Sequence, residues 1–535
     1  MDAPRQGVSD LAEQPADVRR SGLSLVALLL GPALAAPLWF SPPLEAGHSE
    51  LNAMAGVAVW MAVWWLTECV PPAATGLLPL VLLPLLSLTP ARGSGAMASV
   101  AASYGDSMIF LFLGGFLIAL AIARSGLERR IALAIVTTVG DSPRRLVLGF
   151  MLATAALSMW MSNTATAMMM LPIAISITGR AAQGGGDPQQ TRRFSTAVMI
   201  GIAYGANIGG FATLIGTPPN VAFKQLYTNQ FPAGPDISFA GWMVMAVPLA
   251  VVMLLCAWLL LTRVLFRLGD EALLGGSAVL AEERKRLGRL RPAEWRAGLI
   301  FLTTAVLWVA REPVAGFGWA PWLGLGRQAD GSRLVDDSTV AMTMAVLCFV
   351  VPSEGLRGKP LMDWQAAARV PWGVLLMFGG GLALAQGMQN SALDMYLGRQ
   401  FGAQLQGAPP ILMAGATAVA MTFLTELTSN LACTTMSMPI LGSVAQAVGC
   451  DPRLLMIPAA IAASCAFMLP VATPPNAIVY GSGHVKLSEM IRCGILMNLL
   501  GAVLIVAAIF TLGVSVLGIT TGGLPDWADA AAGAQ

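Results

Sequence analysis

Charge is what this sequence has least of. Only 11% of its 535 residues are Asp, Glu, Lys or Arg, against about 25% in a soluble chain. The 31 basic and 29 acidic side chains nearly cancel, and no long basic run exists, which argues against nucleic-acid binding. Histidine is scarcer still, with His48 and His484 alone, so a His-based metal site is not expected. The seven cysteines (Cys69, Cys256, Cys348, Cys433, Cys450, Cys465 and Cys493) form no CxxC pair and sit mostly in or beside apolar runs, as small hydrophobes do. There is no haem, iron–sulfur or nucleotide-binding motif, which argues against redox chemistry and ATP hydrolysis. What fills the space is apolar: 56% of the chain. The composition predicts an all-α integral membrane protein.

Eleven apolar runs are long enough to span, near 22–41, 52–69, 72–89, 106–123, 197–224, 239–263, 297–311, 339–352, 371–390, 454–483 and 494–517. Arg19 and Arg20 precede the first run, and Ala33-Leu34-Ala35 imitates a signal-peptidase site. The run continues through Phe40 to the ~20 residues a bilayer requires, so it reads as a retained helix. Two further stretches, 146–179 and 409–445, are interrupted in the middle by polar residues. Each arm, at about 14 residues and 1.5 Å per residue, reaches about 21 Å, short of a core about 30 Å thick. Both stretches are therefore expected to be re-entrant hairpins whose polar tips stop inside the membrane, where only protein or a water-filled cavity can surround them.

Cations cluster before and after the first hairpin (Arg124, Arg129, Arg130, Arg144 and Arg145; Arg180, Arg192 and Arg193), between Arg263 and Arg296, around Arg357, Lys359 and Arg369, and at Lys486 and Arg492. With a cytoplasmic N-terminus, eleven spans place all of these inside and the C-terminal tail, with Asp526 and Asp529, outside. That is the positive-inside pattern. The expected organisation is a tail and first helix at 1–52, a first repeat at 53–296, a second at 297–517 and a tail at 518–535.

The repeat is legible in the residues. Leu113-Gly114-Gly115-Phe116 resembles Phe378-Gly379-Gly380-Gly381. Ser162-Asn163-Thr164 resembles Ser429-Asn430-Leu431, with Pro172 and Pro439 each ten residues after the Ser. Gly216-Thr217-Pro218-Pro219-Asn220 resembles Ala472-Thr473-Pro474-Pro475-Asn476. The insertion Gly184-Gly185-Gly186-Asp187-Pro188 absorbs the length difference between the copies. An odd number of spans separates them, so they have opposite orientation, and inverted repeats with broken helices point to a secondary transporter with its site at the midplane.

The four breaks carry the chemistry. A Pro-Pro pair removes two backbone donors and disfavours helix just before it. The freed carbonyls, with hydroxyl and amide oxygens nearby, form an all-oxygen environment suited to Na⁺. The helix ends beyond each break present free N–H groups suited to an oxyanion. No Lys or Arg occurs from Leu146 to Gly179 or from Met413 to Gln446, so the positive field for an anion must come from bound Na⁺ and helix N-termini. Glu68 and Glu426 are acids within apolar segments, either of them a proton carrier or a carboxylate satisfied by its neighbours.

At these residues, and at Trp64-Trp65-Leu66-Thr67-Glu68 and Phe467-Met468-Leu469-Pro470, the sequence resembles the divalent anion/sodium symporter family over nearly its whole length. The resemblance implies eleven spans plus two re-entrant hairpins, a homodimer in lipid, and an elevator motion of a transport domain against a scaffold. It implies one sodium site at Ser158, Ser162, Asn163 and Gly216, and another at Thr425, Thr428, Asn430 and Ala472. It places substrate carboxylates on Asn163, Thr164 and Asn430, with Leu431, Thr217, Pro218, Thr473 and Pro474 lining the pocket. Leu431 departs from the Thr that bacterial members often carry there, removing one hydroxyl donor. The expected function is Na⁺-coupled symport of C4-dicarboxylates such as succinate, malate or fumarate across the cytoplasmic membrane, with no enzymatic activity. A dicarboxylate exchanger, a proton-coupled carrier, or a citrate or sulfate transporter on the same fold are the alternatives.

Overall fold

A computed structural model describes residues 22–183, 187–269, 276–312, 318–326, 334–355 and 358–533. Arg19 and Arg20, the glycines at 184–186 and Arg357 lie outside the described residues. A run of helices opens the chain: α1 (Gly22–Phe40), α2 (Ser49–Thr67), the short α3 (Pro72–Thr75) and α4 (Leu78–Leu85), α5 (Ser94–Ala102) and α6 (Ser107–Ser125). Next come α7 (Leu127–Val139), the first polar-tipped pair α8 (Pro143–Ser158) and α9 (Asn163–Gln183), the broken pair α10 (Pro188–Phe211) and α11 (Pro218–Gln230), and α12 (Phe239–Leu259). The basic connection carries α13 (Gly276–Leu287), followed by α14 (Pro292–Val309), α15 (Trp319–Trp322), α16 (Asp337–Val350) and α17 (Trp364–Ala367). The second copy repeats the order: α18 (Trp372–Asn390), α19 (Leu393–Leu405), the pair α20 (Pro410–Thr425) and α21 (Asn430–Val448), the broken pair α22 (Arg453–Ala462) and α23 (Pro474–Gly481), and α24 (Leu487–Ala508). Two short helices, α25 (Val514–Leu517) and α26 (Asp526–Gly533), close the chain.

Among the described residues, five helices are long and apolar enough to cross a membrane: Gly95–Ser125, Pro188–Phe211, Phe239–Leu265, Asn430–Val448 and Leu487–Leu517. The other expected runs form helices that are shorter or, like α2 and α18 at 19 residues each, less apolar, or they are cut. Run 72–89 divides into α3 and α4, and runs 197–224 and 454–483 divide at the Thr-Pro-Pro motifs, as the missing donors of paired prolines require. The arms of the two polar-tipped pairs need a correction. They hold 16 and 21 residues in the first copy and 16 and 19 in the second, against the expected 14 or so. Helices α8, α9 and α21 continue past their apolar runs, from Pro143 and to Gln183 in the first pair and to Val448 in the second. At 1.5 Å per residue the first arm of each pair, α8 or α20, reaches about 24 Å and is still short of the core. Helices α9 and α21 reach about 31 and 28 Å, so arm length alone does not settle the second arms, and the breaks at the tips are what distinguish these pairs.

Two elements were not expected. Helices α7 and α19 are 13 residues each, too short and too polar to read as spans. They are nonetheless copies of one another. Ser125-Gly126-Leu127-Glu128 leads into α7 and Ser391-Ala392-Leu393-Asp394 into α19, with the second residue left-handed in both, Gly126 at φ 84° and Ala392 at φ 55°. Burial pushes the Glu128 carboxyl up to about 7 and that of Asp394 to about 6.

Backbone approach holds the first copy together. Along α10, Gly201, Gly205 and Gly209 recur every four residues and face α8, the small-residue seam that lets membrane helices touch. A Cβ on Gly209 would lie 2.5 Å from the Cα of Ala155 and nearer still to its carbonyl oxygen. Backbone cannot yield as a flexible side chain can. Gly209→Leu is therefore expected to destabilise the protein by at least the about 1–3 kcal/mol typical of overpacking, read as a lower melting temperature in detergent. An unchanged melting temperature would show that the seam has slack.

A buried ion cluster ties α11 to α16 and to the segment just past α14. Lys224 Nζ lies 3.0 Å from Asp337 Oδ2, and Arg311 Nε lies 2.7 Å from Asp337 Oδ1, with all three side chains at most 3% exposed.

Candidate ion and anion site

Each polar tip is a helix end, a short turn and a helix start. In the first, α8 ends on Ser158 and α9 starts on Asn163. In the second, α20 ends on Thr425 and α21 starts on Asn430. Ser158 Oγ lies 2.6 Å from Asn163 Oδ1 and 2.8 Å from the carbonyl oxygen of Ala206 on α10. Thr425 Oγ1 lies 2.5 Å from Asn430 Oδ1 and 3.0 Å from the carbonyl oxygen of Ala463, just past α22. The two clusters have the same parts: a fully buried hydroxyl, an amide oxygen five residues later, and a carbonyl from the broken pair. A hydroxyl has one proton to donate, and here it faces two oxygen acceptors. Oxygen-rich clusters at broken helices are what a bound alkali cation requires.

The breaks complete the arrangement. Gly216 sits where a Cβ would lie 2.9 Å from the carbonyl oxygens of Ser158 and Met159 and nearer still to that of Gly210. Three carbonyls therefore crowd this position, and only glycine fits. The nearby Thr213 hydroxyl donates to the Met159 carbonyl and accepts from the Gly216 N–H at 3.1 Å. Thr217 and Thr473 have nearly the same backbone, φ −144°, ψ 141° and φ −142°, ψ 149°, the extended conformation a following Pro imposes. Pro218 and Pro474 then take the first helical position, where a missing N–H costs nothing. Asn220 closes its break by donating to the Phe211 and Thr213 carbonyls at 3.1 and 2.7 Å, and Asn476 does the same to Ala466 and Leu469 at 3.1 and 3.0 Å. Helices α9, α11, α21 and α23 thus all begin at the repeated motifs, and their N-terminal N–H groups supply partial positive charge.

The remaining expected residues fall around this framework. Ser162 and Thr164 are half-buried beside Asn163; Thr217 and Thr473 are buried; Pro218 is partly exposed and Pro474 exposed. Ala472 is buried at 7% exposure and Leu431 at 4%. Thr428 turns aside: its hydroxyl donates to the Trp65 carbonyl of α2 at 3.2 Å. Glu68 is not drawn in. It caps α2 in the left-handed region at φ 47° and is exposed. Glu426 is a satisfied carboxylate, accepting from the backbone N–H groups of Phe467, Met468 and Leu469 at 2.7, 2.8 and 2.9 Å and from Asn498 Nδ2 at 2.8 Å. It shapes the second break. The cation closest in sequence to the first Thr-Pro-Pro motif, Lys224, is committed to Asp337.

Sequence reading missed Asn207 and Ser464. Asn207 donates to the Ala466 carbonyl at 3.1 Å and to Thr473 Oγ1 at 3.2 Å, and Ser464 Oγ lies 3.4 Å from Thr217 Oγ1. The available signal was a polar residue about ten positions before each Thr-Pro-Pro, inside an apolar run.

Two related halves with broken, polar-tipped helices in an all-helical polytopic fold define a membrane transporter. The chain belongs to the sodium:sulfate symporter family, whose transmembrane region matches residues 23–519, the divalent anion/sodium symporters its motifs resemble. It is 41% identical over 501 residues to the sodium-dependent dicarboxylate transporter SdcS of Staphylococcus saprophyticus, with 92% of each chain covered. It is 40% identical, with the same coverage, to SdcS of Staphylococcus aureus. Two solved structures share its fold at 12% identity. They are the YdaH transporter of Alcanivorax borkumensis (TM-score 0.54, 84% of this chain and 100% of that one) and MtrF of Neisseria gonorrhoeae (TM-score 0.55, 88% and 100%).

Proposed function

We propose that this protein is a sodium-coupled symporter of C4-dicarboxylates such as succinate, malate and fumarate. The observation that carries the reading is the pair of matching oxygen clusters, Ser158–Asn163–Ala206 and Thr425–Asn430–Ala463. A Na⁺ in each would relieve the oxygen contact that the single hydroxyl proton leaves unbridged. The dicarboxylate sits between them, one carboxylate on Asn163 and Thr164 and the other on Asn430, against the Thr-Pro-Pro starts of α11 and α23, with Leu431 beside it. Two carboxylates cannot be buried uncompensated, and no unpaired Lys or Arg belongs to the motifs. The ions therefore supply the field, which makes anion binding depend on cation binding. The names of the SdcS relatives support the same ion and substrate class. Glu426, with four donors already on its carboxylate, favours sodium over a proton as the coupling ion. In this reading the polar-tipped pairs are re-entrant, the N-terminus is cytoplasmic and the C-terminus outside, and a homodimer in the cytoplasmic membrane moves the site by an elevator displacement.

Purified protein in proteoliposomes should accumulate labelled succinate under an inward Na⁺ gradient and lose that uptake when K⁺ replaces Na⁺. Excess malate and fumarate should compete and sulfate should not. Equal uptake in K⁺ would overturn sodium coupling, and competition by sulfate alone would overturn the substrate.

A further inference from the structure

The two oxygen clusters are cross-strapped by residues adjacent in the chain to the carbonyls that build them. Ala206 gives its carbonyl to the Ser158 cluster of the first copy. The next residue, Asn207, sends its side chain into the second copy, where both amide hydrogens are used: one on the Ala466 carbonyl at 3.1 Å, the other on Thr473 Oγ1 at 3.2 Å. The second copy does the same in reverse. Ala463 gives its carbonyl to the Thr425 cluster, and the next residue, Ser464, reaches Thr217 at the first break. Both side chains are 1% exposed. Tyr204, one turn before Asn207, adds a third tie, its hydroxyl 3.3 Å from the Phe467 carbonyl.

We propose that Asn207 and Ser464 are positioning residues that couple the two clusters, so that filling one raises the affinity of the other for Na⁺. This rests on reading the clusters as cation sites. An ion at the first cluster fixes the Ala206 carbonyl, and therefore the backbone that carries Asn207. Asn207 in turn fixes Ala466 and Thr473, which flank Ala472 and the second break. An ion at the second cluster fixes Ala463, and Ser464 transmits that order to Thr217, beside Gly216. Whichever site fills first has already restricted the segment the other must order. The second ion then meets less conformational entropy cost, and by linkage the effect is reciprocal. The covalent step from ligand carbonyl to strap is a single peptide unit, which is planar and stiff, so little of the constraint is dissipated. The buried Asn207 Oδ1 has no hydrogen-bond partner among the described residues. Its side chain is thus held by its two donated bonds alone, and their acceptors set its position.

The test is the Na⁺ dependence of succinate uptake by full-length protein in proteoliposomes, paired with Na⁺-dependent thermal stabilisation in detergent without substrate. Wild type should give a Hill coefficient above unity in both. Ser464→Ala and Asn207→Ala should bring it toward unity and raise half-saturating Na⁺ about fivefold or more. A residue that only packs would lower the melting temperature without changing the steepness of the Na⁺ curve. A wild-type coefficient of unity overturns the proposal. So does a wild-type coefficient in Ser464→Ala, which removes only one hydroxyl and stands in if Asn207→Ala does not fold. Uptake by wild type that ignores Na⁺ would instead overturn the functional reading, and the two failures are told apart before any variant is made.

Discussion

Sodium-driven succinate uptake is expected to fall at least about a hundredfold in Asn163→Ala and in Asn430→Ala. Each asparagine opens the helix after a tip, and each places its Oδ1 against the buried hydroxyl of its cluster, at 2.6 Å from Ser158 and 2.5 Å from Thr425. In the proposed site the same side chain serves an ion through its oxygen and a substrate carboxylate through its amide hydrogens. A hydrogen bond to a charged group contributes about 1.5–3 kcal/mol. Removing both interactions at once costs at least about 3 kcal/mol on that scale, which is the hundredfold. The loss is expected without collapse of the fold, because the neighbouring hydroxyls keep their carbonyl partners, Ala206 and Ala463. Initial rates on variants with the melting temperature of the wild type make the comparison clean. Near-normal rates in either variant would reduce its motif to a helix start.

How much of this was legible in the sequence depended on the kind of signal. The tips and the Thr-Pro-Pro breaks were visible because polar or prolyl residues inside apolar runs have few local explanations, and because the same order appears twice. The structure keeps that order, down to the matching backbone of Thr217 and Thr473. Helix lengths were less legible, since apolar runs end where lipid contact ends and helices continue until a cap or a turn stops them. That is why α9 runs on to Gln183. Helices α7 and α19 were missed although Ser125–Glu128 and Ser391–Asp394 are copies, because hydropathy alone does not reveal short amphipathic helices between spans. The roles of Glu68 and Glu426 could not be separated by sequence. Both are acids in apolar surroundings, and only the four donors around Glu426 distinguish a buried, satisfied carboxylate from an exposed one. Asn207 and Ser464 showed in the sequence only as polar residues inside apolar runs, and what they bind, like the pairing in the ion cluster, was hidden for a simpler reason. Their partners lie far away in the chain, 113 residues apart for Lys224 and Asp337 and 266 for Asn207 and Thr473.

That ion cluster carries the largest expected effect on stability. Asp337→Ala should destabilise the protein by about 3–5 kcal/mol, the usual cost of removing one partner from a buried pair. Asp337 holds two cations at once, Lys224 at 3.0 Å and Arg311 at 2.7 Å. It does so as the first residue of α16, where the helix dipole favours a negative charge. Its backbone carbonyl also accepts from Trp308 Nε1 at 2.9 Å, a bond the substitution keeps, so the loss reports the carboxylate. Arg311 retains Glu312 at 3.3 Å, and Glu312 is about one-third exposed on that side. Lys224, at 3% exposure, loses its ion-pair oxygen and keeps the charge of Asp236 in its surroundings. The double variant Lys224→Met/Asp337→Ala removes that cation together with its partner. Because replacing a buried pair by apolar residues is often close to neutral, it should recover a large part of the loss, although it is the more heavily mutated chain. Melting temperatures of the wild type, the single variant and the double variant in one detergent decide the matter. If the single variant melts with the wild type, the cluster is hydrated and contributes little. If the double variant melts below the single one, Lys224 stabilises the fold through its aliphatic stem rather than its charge.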